Sequence, residues 1–192
     1  MDSRLRGNDK TCLIRGSLIT NVGTRMIFMS QSGLVDFTRA SDWDAWYVEH
    51  LRIMLTVPGI SSAQRFKTDM PGYPPSLAMY SIAGAEVFDD PYYRSVRGMG
   101  EWLPLVDRRH YQRNLFSGLE RAPAVASGAV LLLADREHED AALADLGLTW
   151  LICVGIDRST PLRGIAAVTE LTAARPGVAI YRPATGYMVS GV

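Results

Sequence analysis

The sequence has little of what marks several large classes of protein. Its 192 residues include two cysteines, Cys12 and Cys153, which are too few for a disulfide framework or for a zinc site built on thiolates. Such a small number of cysteines is consistent with a reducing compartment, so we expect a cytoplasmic protein. Twenty basic and twenty acidic residues cancel. No overall field therefore attracts nucleic acid or an anionic membrane surface, and we predict neither as a partner.

Long apolar runs and the common catalytic motifs are also missing. The longest apolar runs, residues 129–134 and 150–154, are far shorter than the roughly 20 residues that span a bilayer. We therefore predict no membrane segment. The sequence contains no HExxH, CxxC, P-loop, GxGxxG or GxSxG motif, so zinc-enzyme, nucleotide-binding and hydrolase classes receive no support. We predict no metal site and no tightly bound cofactor.

The first 25 residues contain Arg4, Arg6, Lys10 and Arg15 among several glycines, without helical or strand periodicity. We expect this segment to be poorly ordered. Its first ten residues, MDSRLRGNDK, resemble the translation of a dispersed intergenic repeat of bacterial genomes. One hypothesis is that residues 1–25 are a non-native extension, with the native start at Met26 or Met29, and the alternative is an ordinary flexible tail.

One strongly patterned stretch, residues 41–67, organises the rest of the chain. Its apolar and aromatic residues follow an i, i+3, i+4, i+7 series that defines one helix face: Trp43, Trp46, Tyr47, His50, Leu51, Met54 and Leu55. Ser41 and Asp44 fit a helix N-cap and capping pair, and Pro58 with Gly59 ends the helix before a strand at residues 60–67. The pattern predicts that His50 points inward.

Further strands are predicted at residues 26–35, 77–82 and 110–119, and Asp90 followed by Pro91 is typical of the start of a short helix. The strands at residues 60–67 and 77–82 are expected to pair as a hairpin around a proline-rich turn. The order strand, helix, strand, strand, helix, strand predicts a ferredoxin-like α+β unit over residues 26–120. Such a unit has one antiparallel sheet with its helices on one face.

The segments DWDAWYVEHL, VPGISSAQRF, LAMYSI and DPYYRSVRG are similar to the dimeric α+β barrel superfamily, and most closely to its EthD-like members. The resemblance covers about residues 26–119. It implies that two ferredoxin-like sheets pack face to face into a barrel. It also implies a small pocket between the helices and the sheet of each unit, with a small molecule as the ligand.

The C-terminal part, residues 121–192, begins with the proline and small-residue run RAPAVASG. We predict strands at residues 129–134 and 149–156, helices at residues 138–146 and 161–173, and a terminal hairpin formed by VAIYR and YMVSG. This order indicates a second, degenerate α+β half, in which case two sheets pair within one chain as a tandem barrel. The alternative is a C-terminal extension on an ordinary homodimer.

Three residues are candidates for catalysis. A neutral imidazole at His50 can move protons near neutral pH, whereas the structural alternative is a core histidine satisfied by a carbonyl or a tyrosine. Tyr47, about one turn away, can supply a phenolic donor or belong to an aromatic core stripe. Arg65, near the end of a strand, can polarise a carbonyl or bind a carboxylate, with a solvated arginine as the alternative.

A predicted ligand pocket adds six residues. Trp46, Met54, Tyr80 and Trp102 can form an apolar and aromatic wall. His110 and Asn114 share one face of the fourth strand with Gln112, and Tyr111, Arg113 and Leu115 lie on the opposite face. The polar row formed by His110, Gln112 and Asn114 either lines the pocket or faces water.

The inward histidine and the resemblance together predict an EthD-like small-molecule enzyme or catabolic accessory protein. It would transfer a proton on a small apolar or carbonyl-bearing ligand without a cofactor. One alternative is a non-catalytic ligand-binding or dimerisation module, in which the polar row is satisfied across a sheet interface. A third is a haem-binding barrel, by analogy with superfamily members that use a histidine ligand.

Overall fold

The computed structural model describes residues 25–169 and 175–191, so the predicted N-terminal extension falls almost wholly outside the described residues. The described residues form two α-helices and nine β-strands, joined by loops and short 3₁₀ turns. In chain order these elements are β1 (Met26–Ser32), α1 (Ala40–Met54), β2 (Ile60–Lys67), β3 (Ser76–Ile82), α2 (Pro91–Val96), β4 (Gln112–Ser117), β5 (Val130–Arg136), β6 (Thr149–Ile156), β7 (Leu162–Val168), β8 (Ala179–Pro183) and β9 (Met188–Val189).

The first half has the predicted ferredoxin-like topology. Its strands lie in the order β4-β1-β3-β2, and every neighbouring pair is antiparallel. The predicted hairpin of β2 and β3 is present, with Phe66 opposite Leu77 and Ala63 opposite Tyr80. The order strand, helix, strand, strand, helix, strand is therefore confirmed.

The second half repeats this strand order and closes the sheet. Its strands lie in the order β8-β5-β7-β6, which matches β4-β1-β3-β2 strand for strand. β4 pairs with β6 at one junction and β2 pairs with β8 at the other, both antiparallel. Eight strands of a single chain thus form a closed barrel, and β9 adds a short pairing to β2 beside β8.

Three predictions for the second half are wrong. The helix expected at residues 161–173 is the strand β7 as far as residue 168, and residues 170–174 lie outside the described residues. The helix expected at residues 138–146 is only a 3₁₀ turn, Ala141–Leu146. VAIYR and YMVSG do not pair with each other, since β8 and β9 lie one after the other along β2. Pairing with distant strands decided these segments, and it outweighs local preference.

The barrel has two apolar layers because strand side chains alternate between its faces. Ile27 and Met29 of β1 pack inside the barrel with residues of both halves, among them Phe116 and Tyr181. Phe28 of β1 faces the other way and packs under the helices. Burying a large apolar side chain contributes roughly 1.5–3 kcal/mol, so the interior of the barrel is a main source of stability.

Helix α1 covers the outer face of the first half. Its buried residues Trp43, Tyr47, Leu51 and Met54 belong to the predicted face. The predicted cap is wrong. A 3₁₀ turn, Phe37–Arg39, runs into the helix, and the Asp36 carboxylate caps that turn by accepting a hydrogen bond from the Thr38 backbone N–H. No helix of the described residues is long and apolar enough to cross a membrane.

Candidate functional site

A cavity of about 290 Å³ lies between the two helices and the outer face of the sheet. This position agrees with the pocket that the resemblance implies. The volume is at the low end of the range for small-molecule sites. The cavity is lined by Phe28, Ser30, Tyr47, His50, Met54, Tyr80, Tyr93, Arg97, Gly98, Met99, Tyr111 and Arg113.

Helix α1 supplies one wall. Tyr47, His50 and Met54 are three and four residues apart, so they lie on one helix face above the sheet. The opposite wall comes from outward-facing side chains of the sheet. Phe28 of β1 is paired with Tyr80 of β3, and their rings are stacked with centroids 5.5 Å apart.

Helix α2 and the segment after it close the third side. The Asp90 carboxylate caps α2 by accepting a hydrogen bond from the Tyr93 backbone N–H at 2.9 Å, which fixes the tyrosine against the cavity. The chain then turns at Gly98, whose φ of 101° favours glycine. This turn brings Met99 into the core, where it is buried.

His50 is a half-buried imidazole at the edge of the cavity. Its ring is stacked on Trp46 with centroids 4.7 Å apart and an angle of 11° between the planes. The ring of Tyr47 is edge-on to it at 6.0 Å. Burial lowers the pKa of His50 from 6.5 to about 4, because the charged form loses hydration. At neutral pH the imidazole is therefore uncharged, with one nitrogen as donor and the other as acceptor.

Four tyrosines are among the residues that line the cavity: Tyr47, Tyr80, Tyr93 and Tyr111. Burial raises the pKa of Tyr80 well above 10, and the neighbouring phenols of Tyr47 and Tyr93 add to this effect. Burial also raises the pKa of Tyr47 and of Tyr93. These phenols remain protonated at neutral pH and can donate hydrogen bonds to an oxygen of a ligand.

The structure brings together four of the nine predicted site residues. His50, Tyr47, Met54 and Tyr80 line the cavity, and the first three share the helix face that the spacing along α1 predicted. Trp46 lies behind His50 and stacks on its outer side. Trp102 is 3% exposed and packs against Trp43 and Trp46, away from the cavity.

Arg65 does not line this cavity, and instead borders a second one of about 230 Å³ together with Trp43 and Asp44. Its side chain is 1% exposed, so the alternative of a solvated arginine is wrong. Nη1 donates to the Asp44 carboxylate at 2.8 Å, and Nε donates to the Ser76 hydroxyl at 3.0 Å. The guanidinium lies 4.2 Å from the centre of the Tyr47 ring. Asp44, predicted as a helix-capping residue, instead binds Arg65 and Lys67.

The predicted polar row does not reach the cavity. Asn114 is inside the barrel, where its amide donates to the Ser159 hydroxyl at 2.7 Å and accepts from the Ser159 backbone N–H at 2.9 Å. Gln112 accepts a hydrogen bond from the same hydroxyl at 3.0 Å. His110 lies in the turn before β4, and its ring is close to Gly33. Ser159 belongs to the second half of the chain, so this row joins the two halves.

The opposite face of β4 supplies the cavity residues that the sequence reasoning missed. Tyr111 and Arg113 line the cavity together with Tyr93 and Arg97 from the α2 region. The alternation along β4 was correct, but the wrong face was chosen. Leu115 packs in the helix-side core and Phe116 packs inside the barrel, so an apolar residue lies on each face of β4 and neither marks the face that meets the helices.

No group of three or more histidine, cysteine, aspartate or glutamate side chains in the described part of the chain is arranged to hold a metal ion. The cavity side chains that can donate or accept hydrogen bonds are the imidazole, the phenols, the Ser30 hydroxyl and the guanidinium groups.

No protein-family profile and no curated protein sequence matches the chain. Solved structures match it in fold. A candidate chlorite dismutase has a TM-score of 0.52 at 7% identity, covering 83% of this chain and 94% of that protein. A candidate monooxygenase from Lactobacillus acidophilus has a TM-score of 0.54 at 10% identity, covering 86% and 99%. An anthrone oxidase-like protein has a TM-score of 0.55 at 9% identity, covering 88% and 94%. The chain has the dimeric α+β barrel fold, as its motifs predicted.

Proposed function

We propose that this protein is a small-molecule enzyme of the EthD-like kind, which transfers a proton on a carbonyl-bearing ligand held beside His50. The observation that carries the proposal is a neutral imidazole at the wall of a cavity whose lining also includes phenols and apolar side chains. The fold neighbours carry the names monooxygenase, chlorite dismutase and anthrone oxidase-like, which agrees with a small-molecule role.

The proposed step is removal of a proton from the carbon next to a carbonyl group. The unprotonated nitrogen of His50 takes this proton, and the electron pair of the C–H bond moves into the carbonyl to give an enolate. The enolate oxygen accepts hydrogen bonds from phenols of the cavity, among which Tyr80 and Tyr93 remain protonated. Return of a proton from the imidazolium restores the ligand and the free base.

Burial makes His50 a weak base in the free protein. The pKa of about 4 instead of 6.5 means that protonating the buried imidazole costs roughly 3 kcal/mol more than protonating an exposed one, at about 1.4 kcal/mol per pKa unit. An enolate formed beside the ring offsets part of this cost, because opposite charges attract each other. The imidazolium is therefore favoured only when the ligand carries the matching negative charge.

Hydrogen–deuterium exchange on simple ketones tests the proposed function and does not require the natural ligand. The protein is incubated in D₂O with small aryl ketones such as acetophenone and indanone, and loss of the C–H signals beside the carbonyl is followed by ¹H NMR. The wild type should accelerate exchange, and His50→Gln should reduce that rate at least a hundredfold.

The matched control is His138→Gln, which removes an exposed imidazole outside the cavity. It should exchange at the wild-type rate, and all three proteins should unfold within a few degrees of each other. A folded His50→Gln protein with undiminished exchange, or a wild type without exchange on any ketone, would rule out the proposed reaction.

The non-catalytic alternative also has one specific observation in its favour. Gln112 and Asn114 are satisfied by Ser159 across the junction between the two halves, which is where a binding or assembly module would place its polar row. A ligand-binding module binds aryl ketones without accelerating exchange. The same NMR samples therefore separate the two functions, since ligand line broadening reports binding and signal loss reports reaction.

The cavity does not fit a haem group. Its volume of about 290 Å³ is small for a tetrapyrrole, and its only imidazole packs face to face against Trp46. We expect no saturable change in the Soret band when haemin is titrated into the purified protein. A saturable red shift that His50→Gln removes would contradict this expectation.

We further propose that the protein acts as a tandem barrel closed within one chain. The pairings of β4 with β6 and of β2 with β8 support this, because they join the two halves along both edges. Light scattering should then give the mass of one chain, and a stable dimer would favour the homodimer alternative. A cytoplasmic location stays a prediction from the small number of cysteines.

A further inference from the structure

We propose that the carbonyl-bearing ligand also carries an aromatic ring and a carboxylate group, and that Arg97 and Arg113 form the subsite for this carboxylate. The inference rests on the same cavity as the proposed function and narrows its substrate class. It concerns binding alone, so it can succeed or fail independently of proton transfer by His50.

The charges around the cavity favour an anion. Two arginines line it, and no aspartate or glutamate is among the lining residues. Arg97 is exposed and forms no ion pair within the part of the chain that the structure describes. Arg113 has one acidic neighbour, Asp157, whose carboxylate lies 3.3 Å from Nη2. The wall therefore carries uncompensated positive charge toward the ligand.

Arg113 also has an unused hydrogen-bond donor. Its Nε is buried and has no hydrogen-bond partner among the described residues. A guanidinium presents its N–H groups as a planar fork that matches the two oxygens of a carboxylate. An oxygen of a bound carboxylate would satisfy this buried donor.

Tyr93 lines the cavity together with both arginines. Burial raises the pKa of Tyr93, and the positive charges of Arg97 and Arg113 both act against that rise. Tyr93, Arg97 and Arg113 thus border the same space. Ser30, which is paired with Arg113 across β1 and β4, adds a second hydroxyl to the lining. This group of residues can surround a carboxylate with N–H and O–H donors.

The rest of the cavity suits a flat ring. Phe28 and Tyr80 form a stacked pair in its floor, with an angle of 21° between their rings. Met54 and Met99 contribute flexible thioether side chains, which make favourable contacts with aromatic rings. Apolar and aromatic walls with one charged end are complementary to an aromatic ring that carries a single carboxylate.

Binding of cinnamate and of its neutral amide, cinnamamide, tests the inference by calorimetry at low salt and neutral pH. The two probes have nearly the same shape and differ in charge. The wild type should bind cinnamate at least tenfold more tightly than cinnamamide, and the difference should shrink as salt is added. Equal affinities for the two probes, or no binding of cinnamate, would overturn the inference.

Variants show which residues cause the preference for cinnamate over cinnamamide. The double variant Arg97→Gln/Arg113→Gln should lose most of the cinnamate preference while its affinity for cinnamamide changes less than twofold. Asp157→Asn is the matched control, because it removes the ion pair of Arg113 and leaves both arginines in place; it should keep the preference. A preference that survives in the folded double variant would refute the assignment.

Two further proteins keep the test decisive. Arg97→Gln alone changes an exposed side chain, so it should fold even if the double variant does not. It should reduce the preference for cinnamate over cinnamamide severalfold, and an unchanged preference would count against the arginine subsite. His50→Gln should bind cinnamate in preference to cinnamamide as the wild type does. A His50→Gln protein that no longer exchanges ketone C–H groups but still prefers cinnamate would show that the reaction and the anion subsite depend on different residues. The two proposals can therefore fail separately.

Discussion

Replacement of His50 by glutamine should make the free energy of unfolding less sensitive to acid. Burial lowers the pKa of His50 from 6.5 to about 4 in the folded protein. Between these two values the unfolded chain binds a proton that the folded chain does not bind. The free energy of unfolding therefore falls as the pH is lowered through this range, and this contribution is fully retained above about pH 6.5.

The size of the effect follows from the two pKa values. The difference between 6.5 and about 4 corresponds to about 3 kcal/mol when the imidazole is titrated completely. Between pH 7 and pH 5, the same linkage gives a loss of about 2 kcal/mol from this one group. A glutamine cannot titrate, so the His50→Gln protein should lack this part of the pH dependence.

Urea unfolding at pH 7 and at pH 5 measures the difference. Carboxylates titrate equally in the wild type and in the variant, so their contribution cancels when the two pH dependences are subtracted. The wild type should lose about 2 kcal/mol more than His50→Gln on going from pH 7 to pH 5. His138→Gln controls for removal of an imidazole from the surface. Equal losses in the wild type and His50→Gln would show that His50 is not held neutral by burial.

Two further predictions concern the framework of the site. Asp44→Asn should lower the free energy of unfolding by about 3 kcal/mol, because it leaves the buried Arg65 cation without its carboxylate. Arg65→Met should lower it by less, because the remaining Asp44 carboxylate is 39% exposed and stays hydrated. Equal losses in urea unfolding would contradict this order. Gly59→Ala should be more destabilising than Gly72→Ala, although the two glycines have similar φ values of 88° and 85°. A Cβ at Gly59 would lie 2.7 Å from Val87 Cγ2, whereas a Cβ at Gly72 would have no atom within 4 Å. A larger loss of melting temperature in Gly72→Ala would refute this prediction.

The parts of the fold that could be predicted are those with local signals. The apolar spacing along α1 and the Pro58-Gly59 stop predicted the helix, and the alternation and turn residues predicted the pairing of β2 with β3. β7 carried no such signal. Its residues Leu162–Val168 become a strand because they pair with β5 along their whole length, and that pairing joins segments about thirty residues apart.

The candidate site divides in the same way. Tyr47, His50 and Met54 could be predicted because helical spacing alone brings them together. Tyr93 and Arg97 come from the α2 region, whereas Tyr111 and Arg113 reach the cavity because β4 pairs with β1 in one register. A shift by one residue would move each β4 side chain to the other face, and the sequence does not show which face meets the helices.

The pH dependence of ketone exchange is the most direct test of the central claim that a neutral, buried His50 is the base. The value of kcat/KM reports ionisation in the free protein. It should be constant from pH 6 to pH 8 and fall in acid with a midpoint near the His50 pKa of about 4, and His50→Gln should abolish it. A midpoint near 6.5, or the same profile in folded His50→Gln, would contradict the claim.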